Sequence, residues 1–463
     1  MSSSQEATKA PSSNPSPEEE GRIAAVHPSS GGARGGFWFI TLFAAEEIPA
    51  TIVTYVALLM LLQLQLASAE ATLLSAILFV PWVLKSFARS RFSGVGYIRQ
   101  MLLLVEALLF AGLLLLAFSF NPPLFFTFHF SSLWSGTGRT LFTFLALLLV
   151  SMLCAWHGLA AQMYYERMLR PSFQRLFTVP KLAFSQVAVV FTYGALIFLV
   201  GTLQVYFRQM IRFSWSMGCY IAAGIFFMFV FYHMVCLRNP RAGERGARHC
   251  MGTTAREELR IAERIRRQPR WWLPVLTLFL LLLPQSLMFY ARVLYLYDAH
   301  ARGGLQCTMQ EIGFAQGTVG VIAFSLGIAF GRLLVNRYSL QRLFWPMAIC
   351  LVLSPFVYLG MTCRPPESLA MLCCGTMTAQ LLFGLGIGAC RHPISTISGT
   401  RYRYTINMLQ IPLVSAAMIV PMAASGWMVE RLGYHGFFLV DALSAPVCLA
   451  LVCLLRRLEV GRA

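Results

Sequence analysis

Twelve runs of mostly apolar residues, each about 18 to 26 residues long, divide the chain and constrain its fold more than any other feature. An α-helix of about 20 such residues crosses the hydrocarbon core of a bilayer. The chain is 57% hydrophobic and only 12% charged, whereas soluble domains carry about 25% charged residues. The sequence therefore predicts an all-α, polytopic membrane protein with twelve transmembrane helices. The runs cover residues 37–62, 70–87, 97–120, 141–164, 182–203, 214–237, 272–295, 312–335, 344–361, 369–390, 404–429 and 436–455.

The loops between these runs alternate between strongly basic and nearly neutral, and this alternation orients the helices. The longest polar stretch, residues 238–270, carries ten arginines and joins the sixth run to the seventh. A short loop with excess positive charge stays on the cytoplasmic side. We call the side with these loops the basic face and the other side the opposite face. The sequence predicts that the basic face and both termini are cytoplasmic.

The basic stretch also divides the chain into two sets of six runs, which we expect to form two six-helix bundles. The predicted parts are a disordered tail at 1–36, a first bundle at 37–237, a linker at 238–271, a second bundle at 272–457 and a tail at 458–463. Such two-repeat proteins are typically secondary transporters with a site between the repeats. Membrane orientation accounts for the net charge of +18, so we expect anionic lipids and no nucleic acid as partners.

Enzyme and metal motifs are missing from the sequence. There is no HExxH, GxSxG or phosphate-binding loop, and the 12 cysteines show no CxxC spacing, so neither catalysis, a cofactor nor a metal is expected. Cys307 and Cys363 fall in loops of the opposite face, where they either pair in an oxidising compartment or remain two free thiols.

Two adjacent acids interrupt the first run, and an ionisable group inside a membrane span is a candidate functional residue. Glu47 shares a helix face with Thr51 and Thr54, which favours a polar lining. Glu46 shares a face with apolar residues, which favours helix packing. The alternative is that both acids lie nearer the basic face and are solvated.

Other polar residues inside the runs complete the candidate set for binding or coupling. Glu106 either carries a proton or substrate role or pairs with a nearby arginine. Arg292 either meets an anionic substrate or a glutamate of the chain, or extends towards the opposite interface. Four more candidates are His157, Gln162, Gln285 and Gln380, and the candidates for a gating loop are Lys85, Arg89, Arg332 and Arg337.

Specific stretches resemble the AmpG-type permeases, a branch of the major facilitator superfamily that carries muropeptides and acetyl-CoA. The stretches are AAEEIPA (44–50), VPWVLKSF (80–87), EIGFAQGTVGVIAFSLG (311–327), FWPM (344–347) and IVPMAASGWMVERLGYHGFF (419–438). The resemblance implies two six-helix bundles, a central cavity and alternating access. It further implies proton-driven import of anhydromuropeptides across a bacterial inner membrane, by a monomer.

The chain also departs from the pattern of these permeases. Gly158 and Gln162 stand where the family carries two aspartates in the fourth span, and Gln285 and Ala379 replace acids in spans seven and ten. Glu46 is retained, and Glu47 replaces a small residue. These departures leave two alternatives open besides a muropeptide importer. The first is a carrier of another small solute or drug, with or without proton coupling. The second is a transport-inactive receptor or scaffold.

The alternation of charge makes a topological prediction. A reporter fused after Arg256 reads cytoplasmic, and one fused after Gly303 reads external, because the intervening seventh run crosses the membrane once. Paired alkaline phosphatase and fluorescent-protein fusions in cells measure this directly. The same side for both fusions contradicts the twelve-span topology.

Overall fold

A computed structural model describes residues 38–85, 97–122, 136–169, 177–238, 263, 267, 271–393 and 403–460. Within these ranges every regular element is helical, and no strand occurs. The expected disorder of 1–36, most of the linker and Arg89 lie outside the described residues.

The first half of the chain contributes helices α1 to α6, which are antiparallel in sequence order. Their bounds are α1 Trp38–Gln63, α2 Ser68–Lys85, α3 Ile98–Phe120, α4 Gly138–Met168, α5 Thr178–Tyr206 and α6 Ile211–Cys236. Each is long and apolar enough to cross a membrane. Several extend beyond the predicted runs, and the start of α5 at residue 178 brings Lys181 into a helix.

The second half repeats the arrangement with α7 to α12. Their bounds are α7 Trp272–Tyr297, α8 Met309–Arg337, α9 Leu340–Cys363 and α10 Leu369–Pro393. One further helical stretch, Arg403–Val460, contains both α11 (403–432) and α12 (434–460). The described residues therefore hold the twelve spans that the sequence predicts.

A single residue separates α11 from α12. Gly433 has φ 69° and ψ 170°, a conformation that glycine adopts without the steric cost that a side chain would bring. The hydroxyl of Tyr434 donates a hydrogen bond of 2.6 Å to Asp298 Oδ2, just after the end of α7. The start of α12 is thus fixed against the turn between α7 and α8.

Three helices change to π-helical geometry where the two halves meet, a boundary that we call the seam. The π turns are Ile52–Val56 in α1, Val190–Ala195 in α5 and Gly313–Gly320 in α8. Such turns are rare and often occur at functional sites. The ring of Tyr55 lies 5.1 Å from that of Tyr193, so the turns of α1 and α5 are in contact.

Glycines bring α5 and α8 together across the seam. A Cβ on Gly317 would collide with the Tyr193 carbonyl and lie 2.5 Å from the Gly194 amide nitrogen. Nearer the opposite face, a Cβ on Gly201 would lie 2.8 Å from Met309 Cβ. Small residues allow such close approach of membrane helices, which strengthens their packing.

Two other helix pairs cross the seam near the opposite face. In α2 and α11, Gly426 lies against the Ser68 carbonyl, and the Ala69 amide donates to Glu430 Oε1 at 2.8 Å. In α1 and α7, the rings of Tyr55 and Phe289 lie 5.3 Å apart. Close packing between the halves is therefore concentrated towards the opposite face.

Towards the basic face, contact across the seam is sparser. Of the hydrogen bonds between halves in the described residues, the one nearest the basic face joins Ser325 Oγ and Gln186 Oε1 at 2.9 Å. This contact lies near the middle of α8. The described parts of the two halves thus pack more loosely on the side of their basic loops.

The two loop cysteines are free thiols, which is the second of the two alternatives left open by the sequence. Cys363 Sγ is exposed and lies 3.9 Å from His435 Nδ1. Burial, with a smaller contribution from Glu311, raises the pKa of the Cys307 thiol to about 12. Cys307 is therefore a poor nucleophile near neutral pH.

The glycine packing between α5 and α8 predicts a specific loss of stability. Gly317→Ala forces a methyl group against the α5 backbone and costs about 1–3 kcal/mol, as overpacking does. Gly360→Ala is the matched control, since nothing lies within 4 Å of its Cβ. Thermal unfolding of both purified variants checks the difference. Equal unfolding temperatures would contradict the close approach at Gly317.

Candidate functional site

Two acids of α1 face lysines of α2 and α5, and we call Glu46, Glu47, Lys85 and Lys181 the lysine–glutamate cluster. Both glutamates and both lysines are partly exposed. Glu47 interacts electrostatically with Glu46, Lys181 and Lys85. The cluster brings two acidic and two basic side chains together within the membrane-spanning part of the first half, and Glu166 of α4 also acts on Lys181.

Gly158 of α4 makes room for this cluster. The Glu46 carboxylate and the Lys85 ammonium both occupy the space that a side chain at residue 158 would fill. A Cβ there would overlap Glu46 Oε1 and lie 2.7 Å from Lys85 Nζ. Glu46 therefore faces a charged partner and α4, and not the apolar packing that its sequence neighbours suggest.

Lys181 is held by contacts of a different kind. Its Nζ donates to Gln162 Oε1 at 3.2 Å and lies 3.2 Å from the centre of the Phe43 ring. Gln162 Nε2 in turn donates to Glu166 Oε1 at 2.7 Å. Gln162 thus links the cluster to the basic end of α4. The sequence pattern placed Lys181 in a loop, because the predicted fifth run begins one residue after it.

Glu106 of α3 lies at the centre of a second, fully buried group. Its Oε1 is 2.7 Å from His233 Nδ1 of α6 and 3.2 Å from His157 Nε2 of α4, and all three side chains have zero exposure. Glu106 is thus paired, but with two histidines and not with the arginine that the sequence suggested. A histidine ring is compact enough to be enclosed between helices, whereas the nearby Arg99 donates to the carbonyls of Leu237 and Met234.

The Thr41 hydroxyl extends this group towards the start of α1. It donates to the Trp38 carbonyl at 3.0 Å and lies 3.0 Å from His233 Nε2. Both ring nitrogens of His233 therefore have a polar neighbour, whereas His157 Nδ1 and Glu106 Oε2 have no hydrogen-bond partner in the described residues.

One candidate of the second half, Gln380, belongs to a third, polar group at the seam. Gln316 Nε2 donates to the Tyr358 hydroxyl at 2.8 Å, and Gln380 Nε2 is 3.5 Å from Gln316 Oε1. Gln285 lies apart from them, because its Nε2 donates to the Leu351 carbonyl of α9 at 2.9 Å. The sequence gave no signal for Gln316, which lies in the π turn of α8.

Arg292 is buried beside this group, at 4% exposure. Its guanidinium carbon lies 5.1 Å from the centre of the Phe289 ring. Thr51 of α1 is also buried, with an unpartnered hydroxyl. Arg292 therefore does not extend to the interface, which was one of the two alternatives from the sequence.

The structure separates the three gating-loop candidates that it describes, Lys85, Arg332 and Arg337. Lys85 belongs to the lysine–glutamate cluster, whereas Arg332 neighbours Arg391 of α10 and Arg337 lies 5.6 Å from the Tyr338 ring. No contact in the described residues joins these two arginines to Lys85. The described residues also contain no group of His, Cys, Asp and Glu arranged to hold a metal ion.

Comparison with solved structures shows the fold. Neither a protein-family model nor a curated protein matches the chain. A bacterial homologue of the human lysosomal transporter Spinster, in an inward-facing and unoccupied conformation, superposes with a TM-score of 0.66 at 14% identity, over 92% of this chain and 96% of that one. The nucleoside transporter NupG gives 0.64 at 13%, over 91% and 98%. The D-xylose–proton symporter gives 0.61 at 13%, over 89% and 96%.

These similarities cover almost the whole of each chain. Together with the eleven apolar helical stretches of the described residues, the last of which holds both α11 and α12, they show the major facilitator fold, an integral membrane fold of two six-helix bundles. The identities are too low to extend the functions of these proteins to this chain.

The pairing of Glu106 predicts a loss of stability when its carboxylate is removed. Glu106→Ala leaves two buried histidine rings without the hydrogen-bond partner that they share and costs about 1–3 kcal/mol. Glu106→Gln keeps an acceptor oxygen and costs less. Glu70→Ala, on an exposed residue in the first turn of α2, costs at most about 1 kcal/mol. Thermal unfolding of the three variants ranks them, and an Ala variant at residue 106 as stable as the control would contradict the network.

Proposed function

We propose that the chain is a secondary carrier that moves a small solute across a membrane by alternating access to one central site. The asymmetry of the seam carries this proposal. Helices pair closely across the seam near the opposite face at Gly317, Gly426 and Tyr55, and contacts become sparser towards the basic face. This is the arrangement of a carrier whose central site is accessible from the basic face.

The orientation follows from the charge of the loops. With the basic face in the cytoplasm, the conformation is inward-facing, in keeping with the inward-facing Spinster homologue. Residues 37–237 and 272–457 then rock as two bodies around the seam, with 238–271 as a cytoplasmic linker and both termini in the cytoplasm.

The solute that we propose is a cell-wall muropeptide or a related molecule, imported through a bacterial inner membrane by a monomer. The fragments at 80–87 and 311–327, which resemble AmpG-type permeases, support this choice. The neutral residues Gly158, Gln162, Gln285 and Ala379 favour a related solute over a standard member of that branch. Structural neighbours with this fold include transporters of nucleosides, xylose and peptides by their descriptions.

Energy coupling is proposed at the lysine–glutamate cluster. A proton on Glu47 makes this region, which also contains Glu166 of α4, more positive by one charge. That charge lowers the cost of bringing an anionic solute into the membrane. Binding of the proton and of the anion then favour each other, and by linkage the effect is reciprocal.

A transport assay tests function and coupling together. Proteoliposomes with an internal pH dye are given a labelled anhydromuropeptide, N-acetylglucosaminyl-anhydromuramyl tripeptide. The parent and the exposed control Glu70→Gln take up solute with protons. Glu47→Gln abolishes proton movement but retains solute exchange, because it removes the titrating group and keeps the side-chain shape. Glu46→Gln slows both, because it removes the carboxylate beside Lys85.

Three results would change the proposal. Solute movement without protons in the parent makes the chain a facilitator. Proton movement that is unaffected in both glutamate variants moves coupling elsewhere, with Glu106 as the next candidate. A folded parent that moves no muropeptide, sugar, nucleoside or peptide in this assay is a receptor or scaffold.

A further inference from the structure

Arg292 is a buried cation without an acidic partner in the described residues. Its exposure is 4%, and its Nε atom makes no hydrogen bond. The carboxylate that comes nearest along α1, that of Glu47, belongs to the lysine–glutamate cluster, and Tyr55 interacts with both Glu47 and Arg292. A buried charge is costly unless a partner of opposite charge compensates it. The partner is therefore missing from the described part of the chain.

Three tyrosines lie near enough to this cation to interact with it. Arg292 interacts electrostatically with the side chains of Tyr55, Tyr193 and Tyr358. The Tyr193 hydroxyl is buried and has no hydrogen-bond partner in the described residues. The Tyr358 hydroxyl accepts from Gln316 at 2.8 Å and has the Thr376 hydroxyl as a second neighbour, so it can turn its own hydrogen either to Thr376 or to a ligand. A guanidinium with hydroxyl donors beside it is the group that proteins use to bind carboxylates and phosphates.

We propose that Arg292, Tyr193 and Tyr358 form a subsite that binds an oxyanion, specifically a carboxylate of the transported solute. The inference rests on the proposed function for the identity of the ligand as a solute, and it adds the chemical class of that solute. It assigns the missing counter-charge to the ligand and not to a residue of the chain.

The position of the subsite links binding to conformation. Tyr55 and Tyr193 belong to the first half, whereas Arg292 and Tyr358 belong to the second. An anion at Arg292 therefore contacts both halves near the close packing of Phe289 on Tyr55. These shared contacts exist only while the two halves are close together, so the anion binds more tightly when the opposite face is closed than when it is open. A ligand favours the state to which it binds more tightly, and here that state is the one with the opposite face closed.

The test uses a pair of sugars that differ at one carboxylate. N-acetylmuramic acid carries an ether-linked lactyl carboxylate that N-acetylglucosamine lacks. The purified full-length protein is followed by thermal unfolding at rising concentrations of each sugar, alongside Arg292→Gln, Arg292→Lys and Arg302→Gln. Arg302 is the matched control, since it is 72% exposed and lies 3.6 Å from Asp298.

We expect N-acetylmuramic acid, but not N-acetylglucosamine, to raise the unfolding temperature of the parent and of Arg302→Gln. Arg292→Gln binds the acid about tenfold or more weakly, the usual effect of losing a hydrogen bond to a charged group. Arg292→Lys retains part of the effect. Without ligand, Arg292→Gln is at least as stable as the parent, because it removes an uncompensated buried charge.

The opposite results overturn the proposal. If the parent is not stabilised by N-acetylmuramic acid, or if Arg292→Gln binds it as well as the parent does, the subsite is wrong. If Arg292→Gln is strongly destabilised without ligand, Arg292 has a structural partner. An acid-specific shift that depends on Arg292 supports the subsite even if the proteoliposomes transport nothing, so its failure and that of the carrier can be told apart.

Discussion

The cost of placing an ionisable group inside a membrane-spanning helix is the constraint on which this structure depends. The first half meets this cost within the chain. Glu106 lies between two histidines, and the glutamates of α1 face the lysines of α2 and α5. In the described residues of the second half, Arg292 and Asp441 are buried, and neither has a partner of opposite charge. Removing one member of a compensated pair destabilises a bundle, whereas a buried charge without a partner favours a ligand of opposite charge.

The seam adds a geometric constraint to this electrostatic one. Helices α5 and α8 approach so closely at Gly194 and Gly317 that their backbones touch, and their π turns occur at the same level. Contacts between backbones leave little room for gradual adjustment, since packed interfaces do not deform continuously. Two discrete arrangements of the halves are thus easier to accommodate than a range of intermediates.

Most of the fold could be predicted from the sequence, because a span is a local property. Runs of apolar residues located all twelve helices, and the break between 429 and 436 anticipated the turn at Gly433. The residues of the candidate site could be predicted only in part. Glu46, Glu47, Glu106 and Arg292 stood out because each is a charge inside an apolar run. Their partners His157 and Lys85 were also candidates, but two others were not: His233 is 127 positions from Glu106, and Lys181 lies at the edge of a run. Gly158 contributes through the absence of a side chain, which no single-residue signal reveals.

The single-residue joint at Gly433 has a mechanical consequence. A joint of one residue cannot lengthen, so a displacement of α11 also displaces α12. Helix α11 touches α2 through Gly426, and the first residue of α12 is tied to Asp298 at the end of α7. A displacement of α11 by the first half is therefore passed on to α12 and to the end of α7. We expect these three helices of the second half to move together.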